Sequence, residues 1–165
     1  VITLHRYKCF NAAMSTTNSQ GLVSTGTSIK TLLQIATPST RQIQILEWGF
    51  SLSANPTGTV ELLQTDVAAT VTAHVASGVQ PLDPNAPASL MTLGVNATGY
   101  NASVEGSITT TRMFDAEVIA QSSPLTYAYQ FMPDARPIVA VSKFLRVRAT
   151  MTSSVNCSAW IVWDE

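Results

Sequence analysis

The chain has 165 residues and a formal net charge of -1; 45% of it is hydrophobic and only 12% charged. That length suits one domain with a full core, and the charged share is about half of what soluble proteins usually carry. The composition excludes the basic footprint of a nucleic-acid-binding protein, and no run approaches the roughly 18 apolar residues of a membrane-spanning helix. Neither nucleic acid nor a membrane is expected as a partner.

Residues 1–20 read as an N-terminal strand or arm with a polar linker, and residues 21–165 as a single β-sandwich domain. Ile2 to Phe10 alternates loosely. The following NAAMSTTNSQG has no apolar period, as in segments that order on a partner. Residues 27–36, TSIKTLLQIA, read as a strand. Ile29, Leu33 and Ile35 share one parity and Leu32 has the other, which implies burial on both faces or a bulge.

The most strongly patterned stretch is residues 42–66, QIQILEWGFSLSANPTGTVELLQTD. Leu46, Trp48, Phe50 and Leu52 recur at every second position, so they share one face of a strand. Ile43 and Ile45 are out of phase with them. Either an extra residue bulges at Ile45–Leu46, or the strand crosses from one sheet to another. The ANPTG cluster followed by the β-rich TVELL reads as a hairpin with a loop of about five residues.

Residues 66–89 form a long irregular stretch. Residues 67–75 suit a short helix or a strand, and from Gly78 the prolines of QPLDPNAP argue against regular structure. Strands are then expected at 90–95, 107–120, 125–131, 138–141, 145–151 and 155–163. The last is apolar on both parities, so it should lie inside a sheet. Together these predict an all-β fold, an antiparallel β-sandwich of jelly-roll type with about 8–10 strands. Its expected core contains Leu46, Trp48, Phe50, Leu62, Tyr129, Phe131, Leu145, Val147 and Ile161.

Chemistry-bearing patterns are scarce. His5 and His74 are the only histidines, and neither sits in a metal-binding or G-x-S-x-G context. His74 reads as a surface or loop histidine. Asp115 and Glu117 share a strand face, which would suit paired carboxylates or a cation, but two acids on a polar strand face are more often solvated. The expectation is therefore no enzyme, with no catalytic residue, no cofactor and no metal. The basic pairs Arg6/Lys8 and Arg146/Arg148 read as solvated or inter-subunit strand faces. Trp48, Tyr127 and Tyr129 would form either core or a sugar-stacking platform. Cys9 and Cys157 fit buried thiols or a bridge between terminal strands.

In order, TLLQIATPST, EWGFSLS, VELLQTD, HVASGVQPLDPNAPAS and the acidic end VWDE resemble a group of β-sandwich proteins encoded by actinobacteria and their tailed phages. The resemblance runs from about Tyr7 to Glu165 and is most specific in ELLQTD and the PLDPNAPAS loop. Other members end in Glu-Glu where this chain has Asp164-Glu165. The group has no catalytic motif to carry over. The resemblance implies a virion structural protein: a capsid decoration (cement) protein on the outer surface of a phage head, made in the bacterial cytoplasm. Its implied partners are the major capsid protein and further copies of itself, commonly as a trimer. Arg6, Tyr7, Lys8, Leu82, Asp83 and Pro84 are the expected partner contacts. The competing expectation is a carbohydrate- or receptor-binding module of a phage tail or cell surface, which would need exposed rings among Trp48, Tyr127, Tyr129 and Trp160.

Overall fold

A computed structural model describes residues 5–122 and 125–165. The expectations for residues 1–4 and for the turn at Ser123 and Pro124 lie outside the described residues. Among the described residues thirteen strands run in chain order: β1 Arg6–Phe10, β2 Val23–Ser24, β3 Lys30–Ala36, β4 Ile43–Leu52, β5 Gly58–Thr65, β6 Thr70–Ala73, β7 Val79–Pro81, β8 Gly99–Val104, β9 Thr111–Ile119, β10 Thr126–Gln130, β11 Ile138–Val139, β12 Phe144–Met151 and β13 Asn156–Asp164. One sheet has the order β10-β4-β13-β1-β7, with β11 pairing β4 and β2 pairing β13; the other has the order β6-β8-β3-β12-β5-β9.

Eight strands form the jelly roll, with β1-β13-β4-β10 facing β3-β12-β5-β9. Chain connections among these eight cross between the sheets, except the one from β5 to β9. That exception is residues 66–110, which add β6 and β8 beside β3 and β7 beside β1. The strand count exceeds the expected range because five further strands, β2, β6, β7, β8 and β11, extend the two sheets beyond this eight-stranded core. Between the sheets lie Trp48, Phe50, Leu62, Leu145, Val147, Ile161 and Trp163, all fully buried.

Both irregularities read from parity are bulges. In the β4–β13 ladder Glu47 faces Val162 and Ile45 faces Trp163, which makes Leu46 the extra residue. Ile43, Ile45, Trp48, Phe50 and Leu52 then share the buried face, while Leu46 is displaced from it and only half-buried. The β3–β12 register skips Leu32 in the same way, and β3 is buried on both parities.

Several expectations are corrected. Residues 53–57 join strands of opposite sheets, so β4 and β5 are not a hairpin; turn chemistry alone does not distinguish the two cases. Tyr129 is 44% exposed because β10 is an edge strand, and Phe131 is half-buried beyond its end. Residues 90–95 contribute only isolated bridges at Thr92 and Leu93, and the strand lies later, at β8. Gln80 and Pro81 belong to β7, whose proline is accommodated at a sheet edge. β1 is an inner strand between β13 and β7, with Tyr7 and Cys9 buried, so Arg6–Phe10 is part of the sandwich itself. Asn11 extends its pairing: Nδ2 donates to the Cys157 carbonyl and Oδ1 accepts from Ala159 N, both at 3.0 Å. Cys9 and Cys157 are free, buried thiols.

The β3–β12 part of the outer face of the β3-containing sheet is covered by the chain itself, whereas its β9 side is open, with Met113 50% and Val118 74% exposed. Thr31, Gln34, Leu63 and Arg146 point to that outer face, yet none is exposed. Gln34 Nε2 donates to the carbonyls of Ala97 (2.7 Å) and Ala69 (3.3 Å), and its Oε1 accepts from Ala69 N. Arg146 donates to Glu105 Oε2 at 2.9 Å, to the Glu105 carbonyl and to the Val67 carbonyl. Arg146 therefore does not lie on a solvated strand face. It is the buried anchor of the β5–β9 insertion, and desolvation lowers its pKa, opposed by the Glu105 charge. Arg148 is also engaged, through Nη2 to Glu61 Oε2 at 2.8 Å.

Candidate functional site

The insertion does not reach the outer face of the β1-containing sheet. Strand alternation dictates what that face shows. In β4 the small or polar positions between the buried aromatics point outward: Glu47, Gly49 and Ser51. In β1 these are Arg6, Lys8 and Phe10, and in β13 Ser158, Trp160 and Val162. Trp160 lies across Gly49, where a Cβ would stand 2.3 Å from its ring. Its Nε1 donates to Glu47 Oε1 at 3.2 Å, and Gln130 Nε2 donates to Glu47 Oε2 at 3.1 Å. Phe10 is 6.4 Å from Trp160, centroid to centroid. Lys8 Nζ sits 4.9 Å from the Phe10 ring and 5.6 Å from the Trp160 ring, within cation–π range. The result is a half-buried aromatic shelf with fixed polar neighbours.

Beside the shelf is a groove of about 440 Å³. The bulged Leu46 and Val162 lie against Phe131, Met132 and Leu82, with Arg6 and Arg136 at its margins. Leu82 is 52% and Met132 66% exposed. Arg6 pairs with Asp164 at 3.4 Å. Among the described residues Arg136 makes no ion pair, and its buried Nε lacks an acceptor. The face thus combines apolar area with two cations, Lys8 and Arg136, that make no ion pair among the described residues.

Of the expected contacts, Arg6, Lys8 and Leu82 converge on this face. Asp83 and Pro84 are exposed in the turn after β7, where Asp83 Oδ1 accepts from Asn85 N at 2.9 Å. Tyr7 is not available to a partner. It has the opposite parity to Arg6 and Lys8, is 1% exposed, stacks on Trp163 at 6.2 Å and donates its hydroxyl to the Pro87 carbonyl at 2.7 Å. Phe10, Leu46, Trp160 and Arg136 were not among the expected contacts. Parity would have found Phe10 and Trp160, but Arg136 lies in a loop with no pattern.

The remaining chemical candidates serve the fold. His74 is buried rather than on the surface: Nε2 is 2.6 Å from the Phe10 carbonyl, the ring packs edge-on to Tyr100, and Gly78 leaves room for it. Desolvation lowers its pKa. Asp115 Oδ2 accepts from Trp48 Nε1 and Tyr127 Oη, both at 2.9 Å, and so ties β9 to the opposite sheet. Burial, followed by the Asp115 contact, raises the Tyr127 phenol. Among the described residues no three His, Cys, Asp or Glu side chains cluster as metal ligands, and no helix is long and apolar enough to cross a membrane. No protein-family model matches the chain, and no curated protein or solved structure matches it either.

Proposed function

We propose that this protein is a capsid decoration (cement) protein of a tailed phage, binding the outside of the assembled head and bridging major capsid subunits as a homo-oligomer. The observation that carries the reading is the unequal treatment of the two sheet faces. The insertion covers the β3–β12 part of one and none of the other, which carries half-buried Phe10, Trp160, Leu46 and Phe131 and exposed Leu82. Low charge favours a contact of this kind, because few ions need desolvation. A protein that binds only the assembled shell stabilises that state by mass action. The jelly roll is shared by capsid and lectin domains, so it agrees with the reading without selecting it. The trimer implied by the resemblance is part of this proposal.

Because β1 is an inner strand, deleting residues 1–20 would remove part of the fold and would not isolate a docking role. The informative variants are Trp160→Ala and Arg136→Gln on the open face. Each should remain folded and lose at least tenfold in binding to intact heads. Unchanged head binding by both refutes this docking face.

The second reading, a carbohydrate-binding module, rests on the shelf itself. Half-exposed Phe10 and Trp160 beside Glu47 and Gln130 form the pairing of ring and hydrogen-bonding groups that sugars use. Trp48, fully buried, takes no part in it. Glycan-array binding without association with heads would favour this reading.

A further inference from the structure

From its edges, we infer that the molecule pairs with a second copy of itself by strand addition at β10, about a two-fold axis through Ala128. A sheet edge offers unpaired N–H and C=O groups, and proteins block such edges with charges, proline, bulges or shortness. The other edges are blocked. β7 has three residues and ends in Pro81. β6 has four and an irregular register with β8. β9 carries Arg112, Asp115 and Glu117 and skips Phe114 in its ladder with β5. β10, TYAYQ, has no charge and no proline, its five-residue register with β4 is unbroken, and four of its residues are exposed.

The open groups can be assigned. Leu125 O accepts from Leu52 N, and Phe131 N donates to Leu46 O. The odd-numbered residues therefore turn their backbone toward β4, and Thr126, Ala128 and Gln130 turn theirs outward. Among the described residues no strand pairs with that side.

The pattern is self-complementary. An antiparallel copy centred on Ala128 places Thr126 opposite Gln130 of the second copy and Ala128 opposite itself, and each pair exchanges both backbone bonds. Tyr127 then faces Tyr129 of the second copy, which gives the 44%-exposed Tyr129 a ring to pack against. Such a contact is isologous and closes as a dimer. It is independent of what the open face binds.

Cross-linking tests the register. In a hydrogen-bonded antiparallel pair the opposed Cα atoms are about 5.5 Å apart, within disulfide range. Under mild oxidation Ala128→Cys should form a covalent dimer in more than half of the molecules. Gln130→Cys, equally solvent-facing but not opposite itself, should form at least fivefold less. The native thiols are buried and should not contribute. Equal cross-linking of the two variants, or none in either, overturns the inference, as does a native mass corresponding to a monomer or a lone trimer at 100 μM. Docking of a different chain at this edge would show as loss of head binding in Ala128→Pro with a monomeric wild type, and also overturns it.

Discussion

Glu105→Ala should be among the most damaging single substitutions at a partly exposed position. Arg146 has no exposed side-chain area, while the Glu105 side chain retains 21%. Glu105 Oε2 also accepts from Thr31 Oγ1 at 2.5 Å, and Oε1 accepts from Thr31 N. Truncation leaves a buried guanidinium without its counter-charge, a loss of about 3–5 kcal/mol. Arg146 keeps the Val67 and Glu105 carbonyls, which places the expected loss near the lower end, about 3 kcal/mol. For a chain of this size that is a fall of roughly 6–12 °C in Tm. Urea unfolding followed by tryptophan fluorescence would measure it. The companion Glu105→Ala/Arg146→Met replaces both partners and should recover much of the loss, because apolar packing can substitute for a buried pair. A loss below about 1 kcal/mol, with no difference between the single and double variants, would mean that the insertion is not anchored through Arg146.

Gly49→Ala places a methyl group 2.3 Å from the Trp160 ring and 2.6 Å from the Tyr127 carbonyl; overpacking should destabilise by about 1–3 kcal/mol and red-shift tryptophan emission as Trp160 is displaced. His74 is held neutral by burial, so its folded pKa lies below its unfolded value. The unfolded chain then binds more protons below about pH 6.5, and stability should fall as the pH drops through that value. A His74→Gln variant should show a flatter profile between pH 7.5 and 5, and identical slopes would contradict the assignment. Burial pushes the Cys157 thiol up to about 12 and raises Cys9 further. Both should resist thiol reagents in the native state at pH 8 and react together on unfolding.

Much of the architecture is written in local patterns. Strict alternation at Leu46–Leu52 and Leu145–Met151 identifies strands, and the phase break at Ile45–Leu46 locates a bulge before any partner strand is known. The limits arise where the determining contact is distant. Arg146 alternates with apolar residues as a solvated side chain would; only the covering insertion, about 40 residues away in sequence, buries it. β10 has the alternation of a core strand, but its place at an edge leaves Tyr129 exposed. Residues 99–104, GYNASV, alternate only weakly, Tyr100, Ala102 and Val104 against Asn101 and Ser103, and the glycine and asparagine disfavour a strand, so β8 leans on pairing with β3 and β6. The face that bears the aromatic shelf is half legible: Arg6 and Lys8 form a strand-spaced pair, but Phe10 and Trp160 meet only when β1 and β13 pair.

The most direct measurement is co-sedimentation of purified protein with intact phage heads and, separately, with unassembled major capsid subunits from the same source. Saturable binding to heads, absent from the free subunits and reduced at least tenfold by Trp160→Ala, is the expected result. A wild-type chain that stays in the supernatant with assembled heads, at concentrations where it is folded, would contradict the decoration reading.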